Sequence, residues 1–123
     1  MLNKVILMGR LTKSPDTRTT QNGKFVSSFT LAVDRDFDRD KVDFIPCVTW
    51  GKTAEFVDKW FQKGQLVAVT GELQSRQYTD RDGNKRTVYE VTCQTVHFAE
   101  SKRNESKAPD VAYEATDDEE VPF

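Results

Sequence analysis

The first hundred residues predict an all-β domain with one short helix, its five strands closing into a small barrel. Three observations carry that prediction. Apolar and polar residues alternate over several runs, as strands with one buried face require. Turn signals separate these runs, most clearly Gln21-Asn22-Gly23 and Asp82-Gly83-Asn84. The period changes once to that of a helix, between Phe56 and Phe61.

Taken in order, Lys4 to Leu11 is a β-rich run ended by the turn-prone Lys13-Ser14-Pro15-Asp16. Lys24 to Val33 follows the Asn22-Gly23 turn and places Phe25, Ser27, Phe29, Leu31 and Val33 on one face, with Phe25 and Phe29 expected in the core. Asp34 to Asp43, DRDFDRDKVD, is dense in charge, contains a single aromatic, Phe37, and reads as a long exposed hairpin loop. Val42 to Lys52, VDFIPCVTWGK, is the third strand. Phe56, Val57, Trp60 and Phe61 then recur on one face of a short helix, which places Trp60 in the core, and Lys63-Gly64 ends that helix. Leu66 to Tyr78 and Thr87 to Phe98 are the last two strands, with Phe98 facing inward by alternation. Three strands, a helix and two more strands is the order of the OB-fold, a small barrel that binds oligonucleotides or oligosaccharides across strands two and three.

Composition divides the chain. Residues 1–100 hold 15 Lys and Arg against 13 Asp and Glu, whereas residues 101–123 hold 3 against 7, so the formal net charge of −2 describes neither part. No run approaches the roughly 18 apolar residues of a membrane-spanning helix. The amino terminus, MLNKVILMGRL, is too soon charged for a secretory signal, so a cytoplasmic protein is expected. Cys47 and Cys93 sit in strand-like runs without a CxxC or a nearby histidine, and are read as reduced core thiols. From Ser101 the composition is too poor in large apolar residues to order itself. Residues 1–100 are therefore expected to form the domain, 101–116 a flexible linker and 117–123 an acidic tip ending in Val121, Pro122 and Phe123.

The third strand is apolar on both faces. Ile45, Cys47 and Thr49 point one way, while Phe44, Pro46, Val48 and Trp50 point the other, with Lys52 just beyond. Large rings beside cations suit a flat, anionic ligand. A strand buried on both sides is the competing reading, and this stretch alone does not separate the two.

The separation comes from resemblance. NKVILMGRL, the FxLAV run at Phe29 to Val33, DFIPCVTWGKTAE, KGQLVAVTGELQSRQYTDRDG and the tail DDEEVPF are together similar to the bacterial and phage single-stranded DNA-binding proteins. The resemblance implies an OB-fold, usually a homotetramer, that coats single strands in replication, recombination and repair and docks partner enzymes on its tail; a nucleoid-associated location follows. It assigns base stacking to Phe37, Phe44, Trp50 and Tyr78. Stacking is worth roughly 1–3 kcal/mol per base without choosing a sequence. For the phosphates, Arg35, Arg39, Lys52, Arg76 and Arg86 lie beside the aromatic positions in sequence, with Lys4, Lys24 and Lys63 as weaker candidates. The resemblance assigns partner binding to the tip, Asp117, Asp118, Glu119, Glu120, Val121, Pro122 and Phe123, where a basic rim and an apolar pocket would take the carboxylates and the terminal ring together. Two residues depart from the family pattern. Pro46 removes a backbone donor and implies an edge or a pucker, and Gln77 stands where a basic residue often precedes the stacking aromatic.

No enzyme, metal or cofactor is expected. Asp36-x-Asp38-x-Asp40 and Asp80-x-Asp82-x-Asn84 open like calcium loops, but the sixth and twelfth positions are Lys41 and Cys47 in one, Lys85 and Val91 in the other. The single histidine, His97, has no partner at metal-ligand spacing. An RNA-binding OB module, an oligosaccharide binder and a metal-dependent nuclease are the alternatives the residues leave.

Overall fold

The computed structural model describes residues 1–100, and the expected linker and tip lie outside the described residues. The elements are β1 (Val5–Leu11), β2 (Asp16–Thr19), β3 (Phe25–Asp34), β4 (Val42–Trp50), α1 (Gly51–Trp60), β5 (Leu66–Thr79) and β6 (Lys85–Phe98). They form one sheet in the order β1-β5-β6-β4-β3-β2, and a further pairing of β1 with β3 closes five of the strands into a barrel. The expected OB-fold is present.

Closure rests on a change of partner at the end of β1. Residues Val5 to Arg10 pair with β5, from Val5↔Gly71 to Arg10↔Leu66. Arg10 and Leu11 also pair with Ala32 and Leu31 of β3. The Leu11 N–H donates to the Gln65 carbonyl at 3.1 Å, and the Thr12 N–H to the Thr30 carbonyl at 3.0 Å. Leu11 and Leu31 are buried at this seam.

Inside the barrel lie Val67 and Val69 of β5, Val91, Cys93 and Val96 of β6, and Cys47 of β4. The helix closes one end with rings: Phe61 meets Phe29 edge-on at 5.6 Å, and Phe56 and Phe98 pack at 6.1 and 5.7 Å from Phe61. Both cysteines are free and buried. A side-chain hydrogen bond with Cys47, and burial after it, push the Cys93 thiol up and keep it protonated.

The structure differs from the sequence expectation in four places. The short strand β2 occupies part of the expected turn region. It pairs with β3 from Asp16↔Ser28 to Thr19↔Phe25, held by a 2.9 Å hydrogen bond between the Thr17 and Ser27 hydroxyls. The third strand stops at Trp50, and Gly51, at φ +63°, turns the chain directly into α1. The helix ends at Trp60 rather than at Lys63-Gly64, with Phe61 as its extended cap residue. Phe25 and Trp60 are half-buried rather than enclosed, because each stands at the end of its element. The Lys59 ammonium lies 5.1 Å from the Trp60 ring centroid.

Glycine is required where the sheet bends. The β5–β6 ladder shifts register between Thr70 and Gly71, where the sheet bends. A Cβ at Gly71 would lie 2.0 Å from the Thr92 carbonyl oxygen, a backbone atom that cannot swing away. Gly71→Ala is expected to lower stability by about 1–3 kcal/mol or more, read as a fall in denaturant midpoint. An unchanged midpoint would show that the bend has other ways to relax.

Candidate nucleic-acid interface

Strand β4 settles the question its sequence left open. Cys47 and Thr49 are buried and Ile45 packs against the core, whereas Phe44 is 64% exposed and Trp50 47%. Thr49 satisfies its buried hydroxyl by donating to the Ser27 carbonyl at 2.9 Å. The second apolar face is therefore a surface. Six residues separate Phe44 from Trp50, about 20 Å along an extended strand.

Registration shows which other side chains share that surface. Val26, Ser28, Thr30 and Ala32 of β3 pair with Trp50, Val48, Pro46 and Phe44. On the other side the parallel pairing of β4 with β6 covers only Cys47↔Val91 and Val48↔Thr92. Pro46 thus stands where β6 leaves the strand, so its missing N–H falls at a local edge, as expected from the sequence. Because Thr92 shares the outer face with Val48, alternation along β6 and its partner β5 puts Arg86, Val88, Glu90, Arg76 and Tyr78 on that face too. Where the hairpin diverges, a groove of ≈ 450 Å³ opens between Pro46 and Val48 on one side and Arg76 and Glu90 on the other. Tyr89 is exposed as well, but it pairs with Ser75 and belongs to the opposite face of the hairpin.

Phe37 is fully exposed in the loop between β3 and β4, beyond the Phe44 end of the strand. Tyr78, 48% exposed, pairs with Arg86 near the hairpin tip, which projects toward the same end because β6 runs parallel to β4. Three of the predicted rings thus share one side of the barrel, Trp50 at one end, Phe44 within and Tyr78 toward the other, and Phe37 stands in the loop beyond the Phe44 end.

The cations are less uniform. Arg35 forks onto Asp43 with bonds of 3.0 and 2.9 Å. Arg86 reaches Asp80 at 2.9 Å, and Arg76 reaches Glu90 at 3.3 Å. Hydrogen bonding from Arg35 holds the Asp43 carboxyl below the usual range. Arg86 does the same to Asp80, helped by the Asn84 N–H. Among the described residues Arg39, Lys52, Lys24, Lys4 and Lys63 form no ion pair. Lys24 and Lys52 border the Trp50 end, and Arg39 lies in the Phe37 loop. Lys4 precedes β1, which pairs with β5 from Val5↔Gly71 onward. Lys63 adjoins Gly64, whose carbonyl accepts a bond from Arg10 at 3.0 Å. Arg10 itself escaped the sequence reading. It lines a groove with Met8, Ala32 and Phe44 while pairing with Glu100 at 2.9 Å, and its position in the run NKVILMGRL gave no sign of this.

No metal-binding cluster occurs among the described residues, and among them no helix is long and apolar enough to cross a membrane. Rings on an open β surface, flanked by cations and without a converging acid–base pair, suit binding of a polyanion with flat substituents.

Comparison with known proteins agrees. Residues 2–99 match the single-strand binding protein family. The chain is 46% identical over 115 residues to "Single-stranded DNA-binding protein 3" of Clostridium acetobutylicum, covering 89% of this chain and 80% of that protein. It is 47% identical over 106 residues to "Single-stranded DNA-binding protein A" of Bacillus subtilis, covering 83% and 62%. Against "Single-stranded DNA-binding protein 1" of Staphylococcus aureus it is 46% identical over 106 residues, covering 83% and 64%. The chain belongs to the single-strand binding protein family, a family of non-enzymatic binding proteins, in keeping with the expectation that it is not an enzyme.

The paired arginines have a measurable consequence. Asp80→Asn retains an oxygen for the Asp82 and Asn84 N–H groups but removes the charge facing Arg86. It is expected to strengthen single-strand binding and to steepen the dependence of log K on log salt by about 0.7. Acidification acts in the same direction. The stability contributed by the Asp43 and Asp80 pairs is present above the unfolded-state pKa and is lost as pH falls through the depressed folded value. A salt titration of both proteins checks the slope, and identical slopes would mean that Arg86 meets no phosphate.

Proposed function

We propose that this chain binds single-stranded DNA without sequence preference, laying the strand along the outer face of β3 and β4 with bases on Phe37, Phe44, Trp50 and Tyr78. The observation that carries the reading is the exposure of Phe44 and Trp50 on a strand whose other face fills the core. The fold turns these two positions outward but does not need an aromatic ring at either of them. Phosphates run past Lys52 and Arg39, and past Arg35, Arg76 and Arg86 once these exchange their carboxylates for the strand. Lys4 and Lys63 contribute at most to the general field. Coating of this kind protects single strands during replication, recombination and repair, and places the protein in the cytoplasm at the nucleoid.

The assembly proposed is a homotetramer. The outward side of β1 supports it, because Ile6 and Met8 are exposed there at 72% and 56%, an unusual load of bare apolar surface. Residues 1–100 act as the binding domain, 101–116 as the linker and 117–123 as the tip that recruits partner proteins.

Trp50→Ala is expected to weaken binding to poly(dT) by roughly 1–3 kcal/mol with the fold intact. In competition the DNA single strand should prevail over RNA and duplex, and labelled strands incubated with magnesium should remain uncut. Full affinity of the variant, or preference for RNA, would sink this reading. For the assembly and tail, mass measurement should give four chains both for the full protein and for a variant lacking Val121 to Phe123. Only the full protein should retain replication and repair enzymes in pull-downs, and capture by the truncated form would remove the tip's role.

A further inference from the structure

The track described above is asymmetric. Toward the start of β4 it is extended by two exposed rings, whereas its other end stops at a single indole. Beyond that indole lies a cleft of ≈ 430 Å³, within the roughly 300–1,000 Å³ of small-ligand sites. It opens where β3 begins, β4 ends and α1 starts. Phe25 and Trp50 border it, with Lys24 and Lys52 beside them and Glu55 on the helix side.

Phe25 is the unexpected member. Alternation puts it on the inner face with Ser27 and Phe29, yet it is only half-buried, because the first residue of β3 stands past the end of the core. Its ring is thus offered to the cleft from one side of the sheet, and Trp50 from the other. Val26 and Trp50 are register partners, so the two aromatic positions sit one residue apart along the β3–β4 ladder. The two lysines form no ion pair among the described residues, in contrast to the arginines at the opposite end.

We infer that this cleft holds one further nucleotide of the bound strand, its base against Phe25 and Trp50 and its phosphate between Lys24 and Lys52. The inference rests on the single-strand reading above. Continuity with Trp50 and charge complementarity select a nucleotide over an apolar ligand. Glu55 disfavours a second phosphate on the helix side, so the cleft takes one nucleotide instead of conducting the backbone through. This extends the track past Trp50 and makes Phe25 and Lys24 determinants of how many nucleotides each domain occludes.

The test uses the full chain and dT tracts of graded length, followed by anisotropy. Phe25→Leu keeps an apolar side chain but removes the stacking face, and should weaken binding about fivefold or more on tracts that span the face. Lys24→Gln, an exposed change that spares the fold, should flatten the salt dependence by about 0.7 and shorten the occluded length. Trp50→Ala is measured in parallel. If it weakens binding while Phe25→Leu and Lys24→Gln leave affinity, slope and occluded length unchanged, the cleft is empty in the complex and the inference falls alone. If Trp50→Ala also has no effect, the single-strand reading falls with it. Should Phe25→Leu lose its cooperative melting transition, the Lys24→Gln result decides.

Discussion

Everything on the outside of this barrel depends on how β1 is shared. One seven-residue strand pairs with β5 along its length and then, at Arg10 and Leu11, with β3. That double use is steric as much as it is hydrogen bonding. A Cβ at Gly9 would meet the Ala32 carbonyl oxygen at 2.6 Å, and the bend at Gly71 lets β5 and β6 curl toward the seam. Without closure the inner face of β4 would have nothing to bury against, and its two-faced alternation would not commit to one orientation. With closure, Cys47 and Thr49 are fixed inside, and Phe44 and Trp50 have no place but the surface.

The electrostatic design of that surface is restrained. Three arginines on or beside it are already engaged by carboxylates, two of them at 2.9 Å. Such exposed pairs add little to stability, but they orient guanidinium groups that would otherwise sample many rotamers. They also reduce the net positive field, so an incorrect anion gains little from charge alone. On the proposed reading the rings provide most of the discrimination in favour of unpaired bases, because only an unstacked base offers both faces.

Much of this was legible in the sequence, for reasons that differ by residue. The two faces of β4 could be read because alternation in a strand is geometric and Ile45, Cys47 and Thr49 contrast with Phe44, Val48 and Trp50. The helix face was readable from Phe56, Val57 and Phe61 in the same way. Strand β2 was not, since Asp16-Thr17-Arg18-Thr19 has no apolar residue to signal burial and is held by a hydroxyl of β3. The helix start was not legible because Gly51, which continues the strand-like run in sequence, is at φ +63° the pivot into the helix. The ion pairs were invisible because they depend on register: Arg76 and Glu90 are 14 residues apart and meet only once β5 and β6 are aligned. Phe25 reads as core in the sequence because alternation says which way a side chain points but not where the core stops.

The direct passage from β4 into α1 leaves the protein's two tryptophans at opposite ends of one helix, Trp50 as its N-terminal cap and Trp60 as its last residue. Ten residues of helix set them about 15 Å apart. One indole faces outward on the strand surface, and the other, half-buried, packs against the hydrophobic core. A ligand resting on the outer face meets the first and leaves the second in its protein environment. The molecule therefore carries a reporter and a reference fluorophore of the same chemistry, and a change in its intrinsic emission on titration can be divided between occupancy and unfolding without an added label.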